Sequence, residues 1–416
     1  MSNYIIEGGK KLYGETYVSG SKNASLPIMA ASVLNRGITK LYNVPNIHDT
    51  QMMVEILKNI GCKVKKNQNK IVIDSRNVNK FEIPEHLMRQ MRSSVIFAGA
   101  ILGRYKKVTF SYPGRMWYRF KTNRPSFKRF WKIRDNSKSK FWENNMWNRK
   151  NNTIRNKSWL SKCRSNRKYN AFGRIIWWRD KNNKCRNEPE IVDLQNFLNK
   201  MGAKIDGAGS NIIKIKGVKN LKDVSYNVMP DRIEAGTLLC AAAITGGEIT
   251  LKKVNASHIT PVLNKLAEAG CTIKLRENEI TLKAPKKLKA VDIKTMPYPG
   301  FPTDMQAIMG ATLTVATGTS IIVENIFESR YKYMIELQKM GAKINIEGKT
   351  AIIKGVKKLY GAKVQATDLR GGASLVLAGL VAKGTTNVEN IEYILRGYEN
   401  LDGKLKNLGA EIYMIK

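Results

Sequence analysis

The sequence predicts an α/β protein of two similar domains, each assembled from units of roughly 70 residues. Three observations predict it. An amphipathic helix ending in glycine recurs at regular spacing, a second kind of helix is apolar on every side, and a short alternating strand follows each.

The glycine-ended helix reads MVEILKNIGCKV at 53–64, LQNFLNKMGAKI at 194–205, VLNKLAEAGCTI at 262–273, MIELQKMGAKI at 334–344 and LDGKLKNLGAEI at 401–412. Apolar residues fall at i, i+3 and i+4, and the glycine stands where a helix C-cap belongs. Gly202, Gly270, Gly341 and Gly409 are spaced by 68, 71 and 68 residues, whereas Gly61 and Gly202 are 141 apart. Six units are therefore implied, with the third vacant near position 132. The apolar helix reads AGTLLCAAAITGGEITLKKV at 235–254, MQAIMGATLTVATGTSIIVENI at 305–326 and GASLVLAGLVAKGTTNVENI at 372–391. A helix with no polar face is expected in the middle of a core.

Composition sets the class. The first residues lack a basic stretch followed by an apolar run, and no apolar run approaches the roughly 20 residues of a membrane span. Five cysteines show neither a disulfide framework nor zinc spacing. A soluble, reduced, cytoplasmic protein without membrane partners is the expectation. The formal charge of +39 would ordinarily indicate a polyanion partner, but it is unevenly spread. Residues 115–187 hold 23 of the 72 Lys and Arg, three acids and all seven tryptophans. A basic nucleic-acid-binding protein working through 115–187, with Trp stacking on bases, is the competing reading of that segment.

Several stretches resemble the UDP-N-acetylglucosamine 1-carboxyvinyltransferases, members of the enolpyruvyl transferases. They are SGSKNASLPIMAASVL at 19–34, MRQMRSSV at 88–95, EPEIVDLQNFLNKMGAKI at 188–205, PDRIEAGTLLCAAAITGG at 230–247, FPTDMQA at 301–307, FESRY at 327–331, ATDLRGGASLVLAGL at 366–380 and RGYENL at 396–401. The resemblance covers 1–114 and 188–416. It implies two inside-out, barrel-like α/β domains of three repeats each: residues 22–229, with 115–187 disrupted, and residues 1–21 with 230–416. It also implies an active site in the cleft between them. The implied reaction moves enolpyruvyl from phosphoenolpyruvate to the 3′-hydroxyl of UDP-N-acetylglucosamine, the first committed step of peptidoglycan precursor synthesis. No cofactor, metal or nucleic acid is implied, and a monomer is expected.

Between Arg115 and Asn187 the resemblance vanishes. If Arg115 to Phe120 are encoded AGG-ATG-TGG-TAT-AGG-TTC, reading one nucleotide forward gives GGA-TGT-GGT-ATA-GGT-TC, or G-C-G-I-G-S. The same shift can turn KTNRPSF into RPIDLH and SKCRSNRKYNAF into PSVGATENIML, both motifs of the family. The segment therefore reads as the family's third repeat in a shifted frame, with the frame restored near Asn187. The nucleic-acid reading does not explain why those motifs lie in the other frame.

The site residues follow from the resemblance, one motif at a time. Lys22 and Asn23, in a Gly/Ser loop before a helix, are placed at an anion site for phosphoenolpyruvate. Arg92 is placed against one of the anionic substrates. Asp304 is placed beside the sugar hydroxyl as general base, although a residue after proline at a helix start is also expected to cap the helix. The backbone of Ile326 meets the nucleotide sugar, and Arg330, Asp368 and Arg370 line the charged cleft. Arg396 clamps phosphoenolpyruvate, a task suited to a planar guanidinium. The catalytic acid would be a cysteine on a mobile loop, and Met116 stands in its place. A thioether has no proton to give, so the chain as written is expected to be inactive.

Overall fold

A computed structural model describes residues 2–90, 96–105, 109–110, 132–133, 142–143, 180–183 and 185–415. Arg92, Met116 and most of the vacant third repeat lie outside the described residues. The chain divides into two compact units, Ser21–Met229 and Met1–Gly20 with Pro230–Lys416.

The first unit carries helices α1 (Lys22–Ala31), α2 (His48–Asn59), α3 (Glu85–Gln90), α4 (Ile96–Tyr105) and α5 (Pro189–Lys200). The second carries α6 (Arg232–Thr245), α7 (Thr260–Glu268), α8 (Gln306–Leu313), α9 (Lys332–Lys339), α10 (Leu369–Val381), α11 (Glu392–Leu395) and α12 (Leu401–Asn407). The recurrent glycines end helices as expected. Gly61, Gly202, Gly270, Gly341 and Gly409 have φ of +102°, +99°, +100°, +91° and +100°, a region where a Cβ is costly. Each turns the chain from a half-buried helix (α2, α5, α7, α9, α12) into a strand at an outer sheet edge.

Four sheets of four strands share one order: a parallel pair at one edge, then two antiparallel pairings. Three belong to the second unit. One is Ile293–Lys294, Thr319–Val323, Thr350–Lys354 and Lys343–Glu347. In the other two the chain start contributes strands: Tyr13–Tyr17 takes the parallel edge beside Glu248–Lys252, and Asn3–Glu7 lies between Thr385–Glu389 and Glu411–Ile415. The fourth, in the first unit, is Val224–Asn227, Ile38–Tyr42, Lys70–Asp74 and Lys63–Asn67.

The apolar helices occupy the middle. Every residue of α6 and α8 is buried, as is most of α10, and the three pack on one another and each on its own sheet. Helices inside and sheets outside is the arrangement the sequence implied. The sheets of the described residues stay separate, and none closes on another. None of the described helices is long and apolar enough to cross a membrane.

Candidate active site

In the second unit three motifs converge on one carboxylate. Pro302 leads into a single 3-10 turn, Thr303–Met305, and Asp304 is its middle residue. Asp304 Oδ1 accepts from Arg330 Nη2 at 3.0 Å, and Oδ2 accepts from Arg370 Nη2 at 3.2 Å. The expected capping does not occur: neither this turn nor α8 has a side-chain cap, since two arginines take both carboxylate oxygens. Capping falls instead to Asp368, which accepts from the N–H groups of Arg370 and Gly371 at 3.0 Å each and so fixes the start of α10.

The arginines are themselves held. Arg330 lies 4.9 Å from the ring centroid of Phe327. Arg370 lies 5.1 Å from that of Tyr398, whose hydroxyl meets Thr237 Oγ1 of α6 at 2.9 Å. The Arg370 side chain is only 4% exposed, and its Nε and Nη1 make no hydrogen bond among the described residues. Partial burial pushes the Asp304 carboxyl up, but Arg370 and Arg330 outweigh it and hold the group well below the usual carboxylate range.

Ile326 follows a strand end organised by Glu324, a residue the sequence reading missed. Glu324 is 1% exposed. Its Oε1 accepts from Thr295 Oγ1 at 2.8 Å and from the N–H groups of Ile326 and Phe327 at 2.7 and 3.0 Å. Its Oε2 accepts from Thr303 Oγ1 at 2.8 Å, next to Asp304. A signal existed: the string VEN recurs at 323–325 and 388–390, at the end of equivalent strands. Arg396 is half-buried just after α11, two residues before Tyr398.

The other unit carries Lys22 and Asn23. Both lie in the first turn of α1, behind the N-cap Ser21, rather than in the loop before it. Lys22 Nζ lies 2.7 Å from Asp49 Oδ2, with side-chain exposures of 11% and 3%. Asp49 was also missed; it sits in the first turn of α2, where an acid reads as a helix-dipole partner.

The chain is 46% identical to UDP-N-acetylglucosamine 1-carboxyvinyltransferase 2 of Caldanaerobacter subterraneus subsp. tengcongensis, over all of both chains. It is 43% identical to the UDP-N-acetylglucosamine 1-carboxyvinyltransferase of Geotalea uraniireducens, again over all of both. It belongs to the UDP-N-acetylglucosamine 1-carboxyvinyltransferase family. The broader family model described as EPSP synthase (3-phosphoshikimate 1-carboxyvinyltransferase) matches residues 6–116 and 181–405. The interval between those matches lies inside the basic, Trp-rich segment. Among solved structures, the enolpyruvyl transferase NikO of Streptomyces tendae superposes with a TM-score of 0.84 at 21% identity, covering 99% of this chain and 98% of that one. EPSP synthase of Acinetobacter baumannii gives 0.73 at 17% identity, covering 100% of both. These two likenesses establish the enolpyruvyl transferase fold. Family membership over the whole length leaves the nucleic-acid reading without support.

Proposed function

We propose that this chain is built for the transfer of enolpyruvyl from phosphoenolpyruvate to the 3′-hydroxyl of UDP-N-acetylglucosamine, with release of phosphate, and that as written it does not turn over. The observation that carries the reading is Asp304 held between Arg330 and Arg370. The sugar oxygen adds to C2 of phosphoenolpyruvate while the methylene carbon gains a proton. Phosphate then leaves as that carbon loses one. Such chemistry needs a base at the hydroxyl, an acid at the methylene and cations for two anionic groups.

Asp304 paired with both arginines is a poor base, because its proton affinity is held down. An anionic substrate that draws either guanidinium away raises that affinity, so substrate binding and activation of the base are coupled. Arg370 suits this role, since its buried Nε and Nη1 still need acceptors that a carboxylate or phosphate supplies. Lys22, with Asn23 beside it, and Arg92 and Arg396 supply further recognition of the anionic substrates. The missing part is the acid: Met116 cannot protonate carbon.

The test compares the chain as written with one whose 115–187 segment is read in the shifted frame. Phosphate release that depends on UDP-N-acetylglucosamine is expected only from the second. Release by the first above a blank without enzyme would overturn its inactivity, and none from the second would overturn the assigned reaction.

A further inference from the structure

The chain passes between its two units twice, at Gly20–Ser21 and at Met229–Pro230. The two runs lie side by side: Gly20 bridges Pro230 in antiparallel fashion, the Asp231 N–H donates to Ser19 O at 2.8 Å, and the Ser21 N–H donates to Met229 O at 2.7 Å. Each run is also held by a buried acid from a helix of its own unit. Glu234 of α6 accepts the Ser19 N–H at Oε2, 3.2 Å away. Its Oε1 is paired with Lys404, which also donates to Ser19 Oγ at 2.6 Å. Asp193 of α5 accepts the Met229 N–H at Oδ2, 3.3 Å away, and the Tyr226 hydroxyl at Oδ1, 2.7 Å away. Glu234 is 3% exposed and Asp193 8%. The transfer chemistry calls on neither.

We propose that Glu234 and Asp193 are proton-sensitive clasps, one at each crossing, that set how readily the backbone at 19–21 and 229–231 opens. The inference does not depend on the reaction assigned above. Opening lets water reach a carboxyl that is dry when the clasp is closed, and burial penalises the charged form. Burial pushes Glu234 up to about 7 against the pull of Lys404 from α12, with Asp231 at the N-cap of its own helix and Glu399 before α12 adding to the rise. Burial pushes Asp193 up to about 6 against the hydrogen bonds from Tyr226 and Met229, with Glu190 of its own helix adding.

The direction follows from linkage. Both acids hold a proton more tightly closed than open, so the closed clasp is favoured in acid and opening grows as pH rises toward neutrality. The crossing at 19–21 runs straight into Lys22 and Asn23, so its freedom bears directly on where those side chains sit.

Amide hydrogen exchange of the full chain at pH 5 and pH 7, corrected for the intrinsic amide rate, tests this in peptides spanning 19–21 and 229–231. The expected increase in opening is roughly fortyfold at the Glu234 clasp and roughly tenfold at the Asp193 clasp. Glu234→Gln and Asp193→Asn keep an acceptor oxygen and should flatten the increase at their own crossing. An equal pH response in those variants, or none in the unaltered chain, would overturn the proposal. Independently of any variant, carboxyl NMR of the unaltered chain should place the Glu234 midpoint near neutrality; a midpoint near 4.5 would also overturn it.

Discussion

Replacing Asp304 by alanine removes a carboxylate that bridges two guanidiniums, and the cost separates a charge cluster from an ordinary helix start. Arg370 and Arg330 are 4% and 13% exposed at the side chain, and Asp304 is 31% exposed. Removing one partner from a fully buried pair costs about 3–5 kcal/mol, whereas an exposed pair contributes about 0–1 kcal/mol. The mixed exposure here puts the expected loss at about 2–3 kcal/mol. Asp368→Ala is the internal reference, since among the described residues the hydrogen bonds of that carboxylate go to the N–H groups that start α10, and its loss should cost about 1 kcal/mol. Cys240, fully buried in the core of the same unit, reports the opening of that unit when its alkylation is followed against urea concentration. The pH dependence carries a defined sign. The Asp304 carboxyl is held below its ordinary value of 3.8, so its contribution is present above that pH and is lost as pH falls further. A loss from Asp304→Ala no larger than that from Asp368→Ala would refute the reasoning.

Three further outcomes follow from single features. Gly202→Ala should cost about 1 kcal/mol through backbone strain alone, because φ is +99° and nothing lies within 4 Å of the added carbon; Cys62 alkylation against urea reads it, and a neutral result would count against the turn assignment. Burial pushes the thiols of Cys62, Cys240 and Cys271 up to about 12, so iodoacetamide at pH 8 should label none of them in the folded chain and all three after denaturation, as read by mass spectrometry. A double-mutant cycle on Lys22 and Asp49 should give a coupling of roughly 1–3 kcal/mol in the same urea assay, and one below about 0.5 kcal/mol would show that the pair does not hold Lys22 in place.

The periodic parts of the fold were legible in the sequence because their causes are local. A positive φ demands glycine whatever surrounds it, so five glycines marked five helix ends. A helix apolar on all sides can only be covered by other elements, so α6, α8 and α10 could be placed in the core before any contact was known. The site was legible as a set of motifs but not as a set of contacts. Asp304 meets arginines 26 and 66 positions away, and nothing in FPTDMQA separates that outcome from a helix cap. Glu324, despite the repeated VEN string, and Asp49 were missed for a related reason. One reads locally as a strand-end acid and the other as a helix-start acid, and their partners are fixed only when distant segments meet.

The strand Asn3–Glu7 sits between two strands from the far end of the chain, with Glu7 meeting Thr385 across 378 positions. A ribosome adds roughly 5–20 residues per second, so this strand waits on the order of 20–80 s for its neighbours. Throughout that time Ile6, fully buried at the end, lacks both strands that flank its own. The whole of 21–229 is synthesised within that interval. The unit that begins first is therefore finished last, and residues 115–187 emerge while the opening strands are still unpaired.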